Sequence, residues 1–277
     1  MPINNIFIII SLFVIWTIFG SFWWVLISRK WNKEWIKSIF FGRSKCTNCN
    51  KILGYKELIP VFSFLFQKWK CRSCWAKLSH YYWIVEVLMW FVFVLTYLFF
   101  PYISIWELVF WLIINWSLTL LLIFDIQHYE LHFPMWIFLT IISAFFAFWK
   151  LDLVIVIESV FSYISMFLII YIFSKYYAKF RFNQEEWFWI WDVYLSMTIW
   201  ILSGFVFYYN FLKFWVVNLM NIILIYVILS SVVWLVYALI LKLFFGRHKQ
   251  IIPFLPSMIV AFWVLLFCAD SFINIFW

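Results

Sequence analysis

Eight apolar stretches of this chain read as membrane-crossing helices, and that leaves few folds open to it. They run over about 5–28, 83–100, 104–124, 133–149, 151–174, 188–209, 212–243 and 251–275, punctuated by Pro101, Pro134, Asp152, Asn210 and Pro253. Roughly 20 apolar residues span the hydrocarbon as a helix. The fourth stretch is short, and the seventh is long enough to be tilted or broken. Asn5 to Ser28 has neither a basic n-region nor a small-residue cleavage site, so it reads as a retained helix. Composition agrees: 68% of the 277 residues are hydrophobic and 12% charged, against about a quarter charged in soluble domains. The sequence predicts an all-α polytopic membrane protein of about eight transmembrane helices, with a small cytoplasmic zinc-binding insertion after the first. The expected division is 1–28 for the first helix, 29–82 for the insertion and 83–277 for the remaining membrane domain.

The insertion is the one long polar island. Cys46-Thr47-Asn48-Cys49 and Cys71-Arg72-Ser73-Cys74 bracket twenty-one residues rich in Lys and turn formers. Two C-x2-C knuckles offer four soft thiolates at a spacing suited to a tetrahedral zinc. Two disulfides or four idle thiols are the alternatives, and the compartment decides between them. Placing the island inside puts eighteen of the twenty Lys and Arg on the inner side: twelve from Arg29 to Lys77, then Lys175, Lys179, Arg181, Lys242, Arg247 and Lys249. Only Lys150 and Lys213 fall outside. The positive-inside rule therefore sets both termini outside and the island in the cytoplasm, where thiols stay reduced and metal is the better account. The same juxtamembrane cations explain the net charge of +8; no basic helix or RNA-binding signature accompanies them, so nucleic acid is not an expected partner. Cys268, alone in the last stretch, reads as a small core hydrophobe.

Most of the twelve acidic residues lie in polar loops. Asp125, after Leu-Leu-Ile-Phe at the end of the third helix, and Asp192, near the start of the sixth, do not. In the eight-helix topology the third helix runs inward and the sixth outward, so both carboxylates land at the cytoplasmic depth of the membrane. Ionisable groups at a hydrocarbon edge are costly, and two at one level point to a shared site. Facing each other across a water, they would rest as one acid and one carboxylate. Such a pair can activate water against a peptide carbonyl and protonate the leaving amine. Interfacial acids that cap helix ends or touch headgroups are the plainer alternative.

Gly20-Ser21-Phe22, the two knuckles with Leu58-Ile59-Pro60-Val61-Phe62-Ser63 between them, and Tyr82-Trp83-Ile84-Val85-Glu86 resemble the N-terminal half of type IV prepilin peptidases. Phe124-Asp125-Ile126 with the later Pro134 resembles that family's first aspartate segment. Trp189-Ile190-Trp191-Asp192-Val193-Tyr194-Leu195 resembles its second, G-x-G-D-x-K-L, and Ile252-Pro253-Phe254-Leu255-Pro256 its closing I-P-F-x-P run. The resemblance implies an intramembrane aspartic protease of the GxGD type that clips leaders from prepilin-like precursors, with Asp125 and Asp192 as the dyad. It further implies methylation of the new N-terminus with S-adenosylmethionine in many members. Cys46, Cys49, Cys71 and Cys74 would clamp a structural zinc, and Glu86 would make a polar contact in the methylation or substrate groove, or else cap a helix or meet the lipid interface.

The departures have a pattern. Trp189 and Trp191 stand where the second motif has glycines, Tyr194 where it has lysine, and Trp83 replaces the proline before Glu86. Trp69, Trp75 and Trp90 also stand where small residues are expected. The chain holds 22 Trp and 5 Gly, whereas average usage gives roughly 19 glycines at this length. Two accounts are open: interfacial tryptophan, or UGA codons that the source organism reads as glycine. Two other functions also stay open at this point, a membrane thiol oxidoreductase built on the C-x2-C pairs and a non-enzymatic scaffold whose zinc island docks a cytoplasmic partner. The sequence is silent on oligomeric state and on the identity of the precursors.

Overall fold

The computed structural model describes residues 10–11, 14, 43–46, 48–59, 62–78, 80–99, 104–150, 157, 161, 164–165, 167–172, 175–176, 179–180, 190–211, 219–245 and 254–276. At 55, 62, 80–82, 99, 190–191, 204–211, 219–224, 242, 244–245 and 269–276 it describes the backbone alone. Most of the expected first and fifth helices, the start of the expected insertion (29–42) and Trp189 therefore lie outside the described residues.

Helices dominate what is described. A short α1 (Phe62–Phe66) in the island is followed by α2 (His80–Phe99), α3 (Ile105–His128), α4 (Phe133–Lys150), α5 (Ile190–Phe211), α6 (Leu219–Phe245) and α7 (Leu255–Phe276). These six long helices fall on six of the eight expected stretches. Isolated antiparallel bridges, Lys45 with Ile52 and Lys70 with Lys77, are the β-structure among the described residues. Among the described residues two helices, Ile105–His128 and Phe133–Lys150, are long and apolar enough to cross a membrane, and the eight expected spans are not all seen. The chain divides into two compact units, Met1–Leu120 and Leu121–Trp277.

In the first unit, α2 buries Val85, Glu86, Met89, Val92, Phe93 and Thr96, a stripe at helical spacing. Glu86 thus lies inside the protein, 2% exposed, and not at a lipid interface. Asn115 Nδ2 of α3 donates to Thr96 Oγ1 at 2.8 Å, tying α2 to α3 by a buried bond. Ser104 and Glu107 form a capping box ahead of α3: Glu107 Oε2 accepts from Ser104 N at 2.9 Å, and Glu107 N donates to Ser104 Oγ at 3.4 Å. That start is as the sequence places it. The end is not, because α3 runs on to His128 and takes Asp125 into its last turn.

In the second unit, α4 buries Met135, Leu139, Ser143, Phe146 and Ala147. Its other face presents Ile137, Phe138, Ile141, Phe145 and Phe148 outward, an apolar surface that water would not tolerate at this extent. The helix α4 runs parallel to α5: Trp136 Nε1 donates to Tyr194 O at 3.0 Å, and one turn on Thr140 Oγ1 lies 2.7 Å from Thr198 Oγ1. By contrast α6 and α7 are antiparallel, with Tyr226 OH donating to Met258 O at 3.0 Å and the rings of Trp234 and Phe254 6.5 Å apart. The rings of Phe167 and Tyr226 add a contact at 6.4 Å.

Candidate metal centre and aspartate site

The two knuckles of the island are copies of one backbone turn, twenty-five residues apart. Asn50 N donates to Cys46 O at 3.0 Å and Trp75 N to Cys71 O at 2.9 Å. Cys46 N donates to Lys51 O and Cys71 N to Ala76 O, both at 2.9 Å, and the two β-bridges close the turns at matching positions. The residue after each second cysteine must turn left-handed to close the knuckle: Asn50 has φ 55 and Trp75 φ 58. Asparagine enters that region readily, whereas for a bulky side chain it costs about 1–2 kcal/mol.

This pseudo-symmetry converges the four thiols. Their Sγ atoms all lie within 4.8 Å of one another, and Cys46 Sγ to Cys74 Sγ is 3.8 Å. Bonds of about 2.3 Å from a tetrahedral zinc give an S···S edge of about 3.8 Å, so the cluster fits such an ion with little movement. The cluster can hold a metal such as zinc. Its electrostatics fit as well. The backbone N–H groups of Cys49 and Asn48 hold Cys46 below the ordinary thiol range. The N–H of Ala76, then the Asn48 side-chain amide at 3.6 Å, bring Cys74 down to about 6. For Cys49 the Lys51 N–H pulls down, but lost solvation and the three facing sulfurs carry it up to about 11. A divalent cation would let facing thiols ionise together.

Trp75 is 73% exposed, so its side chain returns little packing for the strained backbone. Trp75→Gly is expected to stabilise the metal-bound island by about 1 kcal/mol, read as increased amide protection over 45–77. Trp69 shares the left-handed conformation, φ 61, but packs against the rings of Phe64 at 5.9 Å and Trp83 at 5.6 Å. Trp69→Gly is expected to forfeit that packing and to give no such gain.

The two aspartates occupy helix ends in the second unit. Asp125 is 5% and Asp192 3% exposed. Asp125 sits in the last turn of α3, where Tyr129, left-handed at φ 57, donates its N–H to Asp125 O at 2.8 Å and closes the helix. Four residues later α4 begins, with His132 capping it: Met135 N donates to His132 O at 3.1 Å, and Pro134 occupies the first turn, where no N–H is required. The ring of Phe124 meets His132 at 5.0 Å, and Phe133 meets Tyr194 at 5.9 Å. The end of α3, the start of α4 and the start of α5 thus share one end of the second unit, and each contributes to it. Asp192, in the first turn of α5, is favoured there by the helix dipole. Asp125 Oδ2 is buried and has no hydrogen-bond partner among the described residues. The backbone of Trp191 is helical; Cys268 is half-buried in α7.

The described chain is mainly helical, with apolar helices, two buried carboxylates at helix ends in the second unit and a four-thiol cluster in the first that can hold a metal. Comparison with known proteins narrows this. The profile of the Bacterial Peptidase A24 N-terminal domain matches residues 14–100. The "Prepilin leader peptidase/N-methyltransferase" of Bacillus subtilis (strain 168) is 42% identical over 71 residues, 26% of this chain and 27% of that protein. The "Type 4 prepilin-like proteins leader peptide-processing enzyme" of Escherichia coli O78:H11 is 34% identical over 91 residues, 33% of each chain. The Vibrio cholerae "Prepilin leader peptidase/N-methyltransferase" is 37% identical over 75 residues, 25% of this chain and 30% of that protein. Over residues 14–100 the chain is thus similar to the N-terminal domain of type IV prepilin peptidases. These alignments span a third or less of each relative's length. No solved structure matches the chain.

Proposed function

We propose that this chain is a prepilin peptidase of the cytoplasmic membrane, an aspartic endopeptidase that removes the leader of type IV prepilin-like precursors at the inner face. The observation that carries the reading is the conjunction of the matched domain over 14–100 with two buried carboxylates at one end of the second unit. In this reading eight helices span the bilayer, 29–82 forms the zinc-bearing cytoplasmic domain and 83–277 the peptidase domain. One carboxyl of the Asp125–Asp192 pair is protonated and the other ionised. The carboxylate takes a proton from water as the oxygen attacks the scissile carbonyl, and the acid gives its proton to the leaving amine. Burial supports this assignment, since a dry site strengthens both proton transfers. The four cysteines hold zinc as a closed structural clamp with no open coordination position, and they take no step in the chemistry.

Methylation of the new N-terminus with S-adenosylmethionine enters on the relatives' names. Co-expression with a prepilin precursor and measurement of its N-terminal mass tests both activities. Loss of the leader mass is the expected result, and a further methyl increment reads the second activity. A precursor that keeps its leader overturns the proposal.

A further inference from the structure

Buried hydroxyls in these helices share one habit. Those of Thr96, Ser117, Thr119, Ser143, Ser196 and Ser203 each donate to the carbonyl three or four residues back. Ser257 departs from it. The residue is 1% exposed and its Oγ has no hydrogen-bond partner among the described residues. It stands in the first turn of α7, where Phe254 O already accepts from Ser257 N at 2.9 Å and Met258 N at 3.2 Å. Among the described residues, the other buried side-chain oxygen without a partner is Asp125 Oδ2.

Both orphans belong to the second unit, and both lie at helix ends. The helix α7 packs against α5 as well as α6. Since α6 intervenes in the chain and runs antiparallel to α7, the eight-span topology starts α5 and α7 at the same end. Ser257 therefore stands in the first turn of α7 as Asp192 does in the first turn of α5. A buried hydroxyl and a buried carboxyl oxygen left unmet at one end of a bundle are groups that a ligand with both an acceptor and a donor would satisfy, because each otherwise costs free energy to bury. A hydrated peptide bond is such a ligand.

We propose that Ser257 is a third polar member of the aspartate site and donates its O–H to the carbonyl oxygen of the scissile peptide. The proposal rests on the aspartyl reading above. No proton leaves the serine; its hydrogen bond strengthens as that oxygen gains charge in the tetrahedral intermediate, while water's proton goes to one carboxylate and the other carboxyl protonates the amine. Such a donor acts on the transition state more than on substrate binding.

The isosteric pair Ser257→Thr and Ser257→Val tests this, because the two side chains share a shape and differ in the hydroxyl. Full-length chain in nanodiscs is given a prepilin precursor that the Bacillus subtilis relative processes, and kcat and KM are measured separately. Thr is expected to stay within about 3-fold of the unaltered chain, and Val to lose about 100-fold in kcat with KM little changed. Equal kcat for the two variants, or a loss confined to KM, overturns the role. A melting temperature measured for each variant separates a folding defect from a chemical one. Asp125→Asn distinguishes the two levels of the argument: if it still cleaves, the aspartyl reading itself fails, whereas an inactive Asp125→Asn beside equal Thr and Val variants removes Ser257 alone.

Discussion

Asparagine at Asp125 or at Asp192 is expected to lower leader cleavage at least 100-fold while leaving the zinc content of the chain unchanged. General acid and base groups each contribute about 10²–10⁴-fold, and neither role survives conversion of the carboxyl to an amide. Asparagine keeps the shape of each side chain, so the cost of burial falls and the helix ends remain. Asp192 loses its favourable charge at the start of α5, an effect of about 0.3–1 kcal/mol, too small to unfold the protein. The double variant is expected to be no worse than either single one, because a pair that shares one water acts as a unit. A scaffold whose island docks a partner would keep that partner through both substitutions, and a thiol oxidoreductase would keep its activity. Cleavage within a few-fold of the unaltered rate in either variant rules out the dyad.

The helices were legible because an apolar run of membrane length has one economical backbone. Capping box residues Ser104 and Glu107 also carry their meaning in sequence, and the start of α3 falls where expected. Its end does not: Tyr129 closes it in a conformation usually given to glycine or asparagine, and no residue there signals a stop. That α4 and α5 pack side by side was equally hidden, although the eight-span topology already runs them in the same direction. The packing rests on Trp136 and Thr140, which in an apolar run read as interfacial or lipid-facing residues.

At the knuckles the spacing of Cys46, Cys49, Cys71 and Cys74 was sufficient, since two identical turns need no further instruction. Asn50 announces its left-handed turn by its chemistry, but Trp75 conceals the same turn. The positions at which tryptophan was expected to replace a small residue include two, Trp69 and Trp75, whose φ values of 61 and 58 are those glycine adopts without cost. Ser257 was passed over because a lone serine in an apolar helix normally satisfies itself on its own backbone, and only coordinates reveal one that does not.

Chelation of the metal is expected to unfold the island and to leave α3 to α7 in place. Between 43 and 78 the buried side chains among the described residues are Cys46, Ser63, Gln67 and Cys71, so two of the four are candidate metal ligands. Its large apolar side chains lie outside instead: Phe66 is 73% exposed and Leu65 52%. A polar insertion with so little buried carbon among its described residues does not fold on hydrophobic burial alone. Binding of structural zinc is worth about 10–16 kcal/mol in comparable small domains, and a zinc held by these four thiolates would supply most of the island's folding free energy. Hydrogen exchange should therefore show the amides of Cys46, Asn50, Leu53, Cys71, Trp75 and Leu78, all bonded across the knuckles, losing protection together on chelation. Cys71→Ser should reproduce that loss more fully than Cys49→Ser, because Cys71 is 1% exposed whereas Cys49 lies at the surface, where water can take part of its place. If those amides stay protected in chelator, the island has a source of stability that its side chains do not display, and the thiols are free for some chemistry other than holding it together.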